Sequence, residues 1–104
     1  MARSIYTNTI IKEVFERGYL VKIHDGEEAT KAKNFKEAAA LIDDLDDATI
    51  IVYGQDKKRV GFIFLVMEND GEEQLSDYAA VPEIEDIVKA VDAKAAKAEN
   101  NFTY

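Results

Sequence analysis

The chain has 104 residues, of which 47% are hydrophobic, with one proline and no cysteine, the size and composition of a single domain (1–104) built on one core. Lack of cysteine excludes disulfide staples, thiolate zinc sites and cysteine nucleophiles. A formal charge of -8 argues against direct nucleic-acid binding and against an anionic membrane surface, since both rely on cationic side chains.

At the N-terminus, Ile5 to Val14 is interrupted by Thr7, Asn8, Thr9, Lys12 and Glu13, so it lacks the apolar core of a signal peptide. The longest apolar run, Val60 to Met67, spans eight residues including Gly61, far short of the ~20 that cross a bilayer as a helix. A cytoplasmic location follows as the expectation. Ile10, Ile11, Val14 and Phe15 recur at helical spacing, and Gly18 sits where a left-handed cap belongs, which predicts a helix from about Thr9 to Arg17. Residues 1–6 are expected to fray.

Tyr19, Val21 and Ile23 then alternate with Leu20, Lys22 and His24, and Asp25-Gly26 signals a hairpin, either as a two-residue loop or a wider one through Glu27. The return strand, Glu28 to Lys33, is polar and reads as an edge; its lysines would guard against sheet-to-sheet pairing. Asn34 followed by Glu37 is a reciprocal capping pair. It opens a helix with Phe35, Ala38, Ala39, Ile42 and Leu45 on one face, ending near Asp46.

Thr49 to Tyr53 is a β-branched strand, and Gly54 to Lys58 is a polar turn into a strand from Arg59 to Met67. Val60, Phe62, Ile63, Phe64, Leu65 and Val66 make that strand apolar on both faces, which predicts cover on both sides. Its phenylalanines are accordingly expected to be packing residues and not a base-stacking platform. Asn69-Asp70-Gly71 turns the chain into a weak strand from Glu73 to Ala79, with Leu75 and either Asp77 or Tyr78 inward. Pro82 starts a last helix with Ile84, Ile87, Val88 and Val91 on its apolar face, expected to reach about Ala98 and then fray over 99–104, leaving Phe102 and Tyr104 without an obvious core. The order α-β-β-α-β-β-β-α with short strand connections predicts an α+β domain, an antiparallel β-meander of about five strands with helices on at least one face.

The acids are unevenly placed. Fourteen of the 21 fall in two stretches, Glu37 to Asp56 and Val60 to Val88, that contain no Lys or Arg. Asp43, Asp44, Asp46 and Asp47 crowd the end of the central helix, where carboxylates oppose the macrodipole at a cost of about 0.3–1 kcal/mol each. Glu68, Asp70, Glu72, Glu73 and Asp77 form the second group. Together these nine are the candidate partner-binding face, one that imitates nucleic-acid phosphate or docks on a basic protein surface. Ordinary solubility charge is the competing explanation.

The remaining chemistry points away from catalysis. Neither acidic segment follows the twelve-residue calcium loop, so no metal ligands are assigned and no cofactor is expected. His24, the only histidine, sits at a strand end and reads as a turn residue. Ser76 and Asp77 are strand neighbours expected on opposite faces. Gly54 and Gly61 lack the Lys-Ser/Thr of a phosphate loop. Catalytic residues are therefore none.

The residues His24-Asp25-Gly26-Glu27-Glu28, the pair Val60-Gly61 leading into an apolar strand, and Glu68-Asn69-Asp70-Gly71 followed by Ser76-Asp77-Tyr78 resemble small acidic proteins encoded by bacteriophages and prophages over roughly residues 20 to 90. Ala29 and Met67 depart from the pattern, which has an aromatic residue at the first position and a glycine or tyrosine at the second. The resemblance implies a bacterial host cytoplasm and a protein that acts as an inhibitor or accessory factor by binding a host protein; it carries over no catalytic residue. The sequence thus points to a non-enzymatic binding protein, with a DNA mimic as its sharpest form. The alternatives are a structural or assembly protein that self-associates as a homo-oligomer through an edge strand, the C-terminal helix or the aromatic tail, and a carboxylate-based metal-dependent hydrolase.

Overall fold

A computed structural model describes residues 5–66 and 74–102. The fold is α+β in the expected order: α1 (Ile5–Glu16), β1 (Leu20–His24), β2 (Ala29–Ala32), α2 (Phe35–Asp43), β3 (Asp47–Tyr53), β4 (Arg59–Val66), β5 (Leu75–Tyr78) and α3 (Pro82–Phe102). The five strands form one antiparallel sheet, ordered β2-β1-β3-β4-β5. β2 and β3 both flank β1, so α2 carries the chain over β1 from the edge to the centre.

Each helix begins or ends for a local reason. α1 closes with a Schellman turn: Gly18 has φ 82, its N–H donates to the Phe15 carbonyl at 3.0 Å, and the Tyr19 N–H donates to the Val14 carbonyl at 3.3 Å. The helix starts earlier than the expected Thr9, because Tyr6 and Thr7 are buried on the same face as Ile10 and Val14. Asn34 caps α2, its Oδ1 accepting the Glu37 N–H at 2.9 Å. The Glu37 carboxylate does not return the favour to Asn34; it accepts from the Lys33 N–H at 3.4 Å. α2 stops at Asp43, with Asp44 as C-cap, three residues before the expected Asp46. α3 runs to Phe102, past the expected Ala98, since Ala93 to Ala98 holds strong helix formers and no breaker.

The core lies between the helices and one side of the sheet. Val21, Ile23, Ala48, Ile50, Val52, Ile63 and Leu65 face the helix residues Ile10, Val14, Ile42, Ile84, Ile87 and Val91 in one buried cluster. Gly61 belongs to this side, and a Cβ there would sit 2.6 Å from Ile84 Cγ1 and 3.2 Å from Ala79 Cβ, so the glycine sets how closely α3 approaches β4. At the helix layer's margin, Glu13 is buried to 6% exposure and ion-paired to Arg17 at 2.6 Å and to Lys94, while Arg17 reaches Asp86 at 2.5 Å. These cations, Lys94 foremost, hold the Glu13 carboxyl below its ordinary range despite burial. Thr7 also donates to Gln74 Oε1 at 2.5 Å in a fully buried bond, pinning the start of β5 onto α1.

The prediction of cover on both sides of β4 fails. Phe62, Phe64 and Val66 point away from all three helices and stay half-exposed beside Ile51, and none of these four belongs to the core cluster. Among the described residues the helices cover one face of the sheet and no element covers the other. No helix among the described residues is long and apolar enough to cross a membrane.

Gly61→Ala should lower stability by about 1–3 kcal/mol, read as an earlier midpoint in urea unfolding. Gly54→Ala, where the added methyl meets mainly the end of the Asp56 side chain, should cost less.

Candidate functional site

Strand direction decides where the charges gather. β1 and β4 run toward one end of the sheet and β3 starts there, so the β1–β2 hairpin, the α2–β3 connection and the C-terminus of β4 share that end. Asp43 and Asp44 close α2, Asp46 lies in the connection, and Asp47 is the first residue of β3, not part of a helix end as expected; all four are exposed. α2 has no basic residue in its last turn, and carboxylates at that end stand unfavourably against the helix dipole.

Asp25, Glu27 and Glu28 join them. His24 pairs with Thr49, so the hairpin leaves β1 level with Ala48, one strand away from Asp47. The turn is centred on Gly26-Glu27, the wider of the two loops considered, with Gly26 at φ 101 and the Asp25 N–H donating to the Glu28 carbonyl at 3.1 Å. Asp25 Oδ1 accepts the N–H groups of Glu27 and Glu28 at 2.8 and 2.9 Å. These two amides, that of Glu28 first, hold its carboxyl below the usual aspartate range. His24 Nδ1 accepts the Gly26 N–H at 3.0 Å, which makes the histidine a turn anchor.

Of the second predicted group, Glu68, Asp70, Glu72 and Glu73 lie outside the described residues, as does the Asn69-Asp70-Gly71 turn. Asp77 is exposed and pairs with Phe64. Asp47 pairs with Val66 on the other side of β4; two strand spacings and two residues put Asp77 about 12 Å from Asp47 on the uncovered face. β5 carries a register shift at Leu65, which leaves Ser76 as the extra residue, exposed like Asp77 and without a pairing partner in the ladder. Among the described residues no three His, Asp or Glu side chains gather to form a metal site.

The opposite end of the sheet gathers cations on its uncovered side and acids at the start of α3, where Glu83, Glu85 and Asp86 lie and Asp86 pairs with Arg17. Lys31 and Lys33 end the second strand region, Lys57 and Lys58 follow Asp56 in the β3–β4 turn, and Arg59 opens β4, all of them exposed. Lys57 adopts φ 68, a left-handed turn position. Lys22 lies mid-strand with its Nζ 5.3 Å from the Tyr53 ring centroid, and with Lys31, Lys57, Leu20 and Tyr53 it lines an open depression of about 250 Å³. On the uncovered face the charge changes sign along the strands, with about 20 Å between Asp47 and Arg59 at six residues' separation.

Neither the hairpin acids nor the uncovered face is apparent from sequence. Asp25 and Asp47 are 22 positions apart, and only the β1–β3 register joins them. The available signal was Phe62 and Phe64 alternating with Ile63 and Leu65, which fits two covered faces and one open apolar face equally well. No protein-family model, curated protein or solved structure matches the chain.

Asp25→Ala should release the Glu27 and Glu28 amides, seen as faster hydrogen exchange at both. Because the folded carboxyl is depressed, the stability it adds is present above the unfolded value of about 3.9 and is lost as pH falls through the lower folded value. The stability gap between wild type and variant should therefore be full at neutral pH and close in strong acid; an equal gap at both would contradict the role of the ionised carboxylate.

Proposed function

We propose that the protein is a non-enzymatic binding protein of a bacterial cytoplasm, phage-encoded, whose acidic sheet end docks on a basic surface of a host protein as an inhibitor or accessory factor. The observation that carries this reading is the meeting of Asp25, Glu27, Glu28, Asp43, Asp44, Asp46 and Asp47, from two segments distant in sequence, at one end of the sheet. Like charges crowded at a helix terminus and a hairpin destabilise the fold locally, and such a field accelerates encounter with a cationic partner. In its sharper form the acidic end occupies a site that otherwise takes nucleic-acid phosphate.

The alternative reading, assembly of copies, draws on a different observation, the uncovered sheet face. A metal-dependent hydrolase has no feature of the described residues in its favour.

Replacing Asp43, Asp44, Asp46 and Asp47 with lysine tests the first reading, since these exposed positions can be reversed without touching the core. A host protein retained by the wild type from bacterial lysate at low salt should be released by raised salt and by added duplex DNA. The reversed protein, with unchanged circular dichroism, should not retain it. Retention by the reversed protein would sink the proposal, and loss to salt but not to DNA would remove the mimic form alone.

A further inference from the structure

The uncovered face is apolar along its middle and charged in opposite senses at its two ends. Leu20, Ile51, Tyr53, Phe62, Phe64 and Val66 run down its centre, and Ile51 is only 8% exposed among these neighbours. Lys22, Lys31 and Arg59 stand toward one end, and Asp47 and Asp77 toward the other. Exposed apolar patches of this kind mark contact surfaces.

We infer that this face binds a second copy of the same chain, face to face, about a two-fold axis that lies between the sheets and across the strands at the level of Ile50 and Ile63. The register dictates the consequences of that half-turn. Positions one step on either side of the axis exchange, so Phe62 of one copy meets Phe64 of the other. Positions three steps away exchange as well, so the Tyr53 and Arg59 level of one copy meets the Asp47 and Val66 level of the other. Arg59 of each copy then lies beside Asp47 of the other, one strand over, and Lys31 and Lys33 of each approach the Glu27-Glu28 turn of the other, a match repeated on both sides of the axis as an isologous interface requires.

Other occupants fit less well. A single-stranded nucleic acid would find the aromatic rings and lysines but also Asp47 and Asp77 along its path. A uniformly basic partner would be repelled by Lys22, Lys31 and Arg59. Only an occupant with the same dipole reversed matches both ends, and the chain itself has it. Four strand spacings by about six residue steps give a face of about 19 by 20 Å, below the ~800 Å² per partner of a standard interface. The dimer is therefore reversible on dilution. Asp43 and Asp44, in the helix layer on the other side of the sheet, stay outside it, while Asp47 is common to this face and the acidic end, so Asp43→Lys with Asp44→Lys separates the two readings: it should abolish partner capture and leave self-association unchanged.

The test uses the purified full chain alone, in sedimentation equilibrium over a wide concentration range. Wild type should pass from monomer to dimer and stop there. Lys22→Glu, Lys31→Glu and Arg59→Glu together make both ends acidic and should weaken self-association at least about tenfold; Asp47→Lys with Asp77→Lys makes both ends basic and should do the same. Mixing the two variants should restore a dimer tighter than either forms alone, which also shows that both are folded. With no native cysteine, Phe62→Cys mixed with Phe64→Cys should be joined by a short bis-maleimide faster than either single variant is to itself. A wild type that stays monomeric at every concentration overturns the inference. So does a dimer indifferent to the charge variants, or a monomer that takes up single-stranded oligonucleotide on this face.

Discussion

One-sided burial is the constraint on which the rest of the molecule depends. Along β1, β3 and β4 every second residue, from Val21 and Ile23 through Ile50 and Val52 to Ile63 and Leu65, is sealed against helices that all lie on the same side. A strand's side chains alternate strictly, so sealing one set commits the other set to the opposite face. Slipping any of these strands by one residue would expose isoleucines and bury Lys22 or Asp47. The register is therefore fixed by the core, and the register in turn fixes the order of charges down the uncovered face.

Chain direction does the rest. In an antiparallel sheet the loops fall alternately at the two ends, and here the acidic connections fall at one end and the basic β3–β4 turn at the other. Bulk charge of -8 conceals this division. A protein with the same composition and the turns exchanged would have the same isoelectric point and the reverse order of charge along its strands. The acidic end costs local stability, at the terminus of α2 above all, and the ion pairs of Glu13 with Arg17 and Lys94 lie elsewhere, between α1 and α3. The ion pairs of the helix layer and the acidic crowding are thus kept apart in the fold.

Much of the architecture was legible from local chemistry. Gly18 as a left-handed cap, Asn34 as an N-cap and Pro82 at a helix start each act within a few residues, and each does in the structure what its local chemistry predicts. Helix limits were less legible because they are settled by tertiary contacts: Tyr6 and Thr7 extend α1 backward by being buried, while α2 ends early so that Asp47 can pair with Val66. The candidate site was legible only in part. Asp43, Asp44, Asp46 and Asp47 stand out as a run, whereas Asp25, Glu27 and Glu28 reach them through long-range pairing that no local pattern encodes. Phe62 and Phe64 were misleading for a physical reason, since an apolar residue on a contact face and one in a core look alike in sequence.

The uncovered face is the central claim, and solvent paramagnetic relaxation of side-chain protons tests it most directly. In dilute protein with a soluble gadolinium chelate, the rings of Tyr53, Phe62 and Phe64 should relax strongly while the methyl groups of Ile50, Ile63 and Leu65, one residue away along the same strands, stay protected. Equal protection of both sets would mean that a second layer covers the sheet, and would contradict the account.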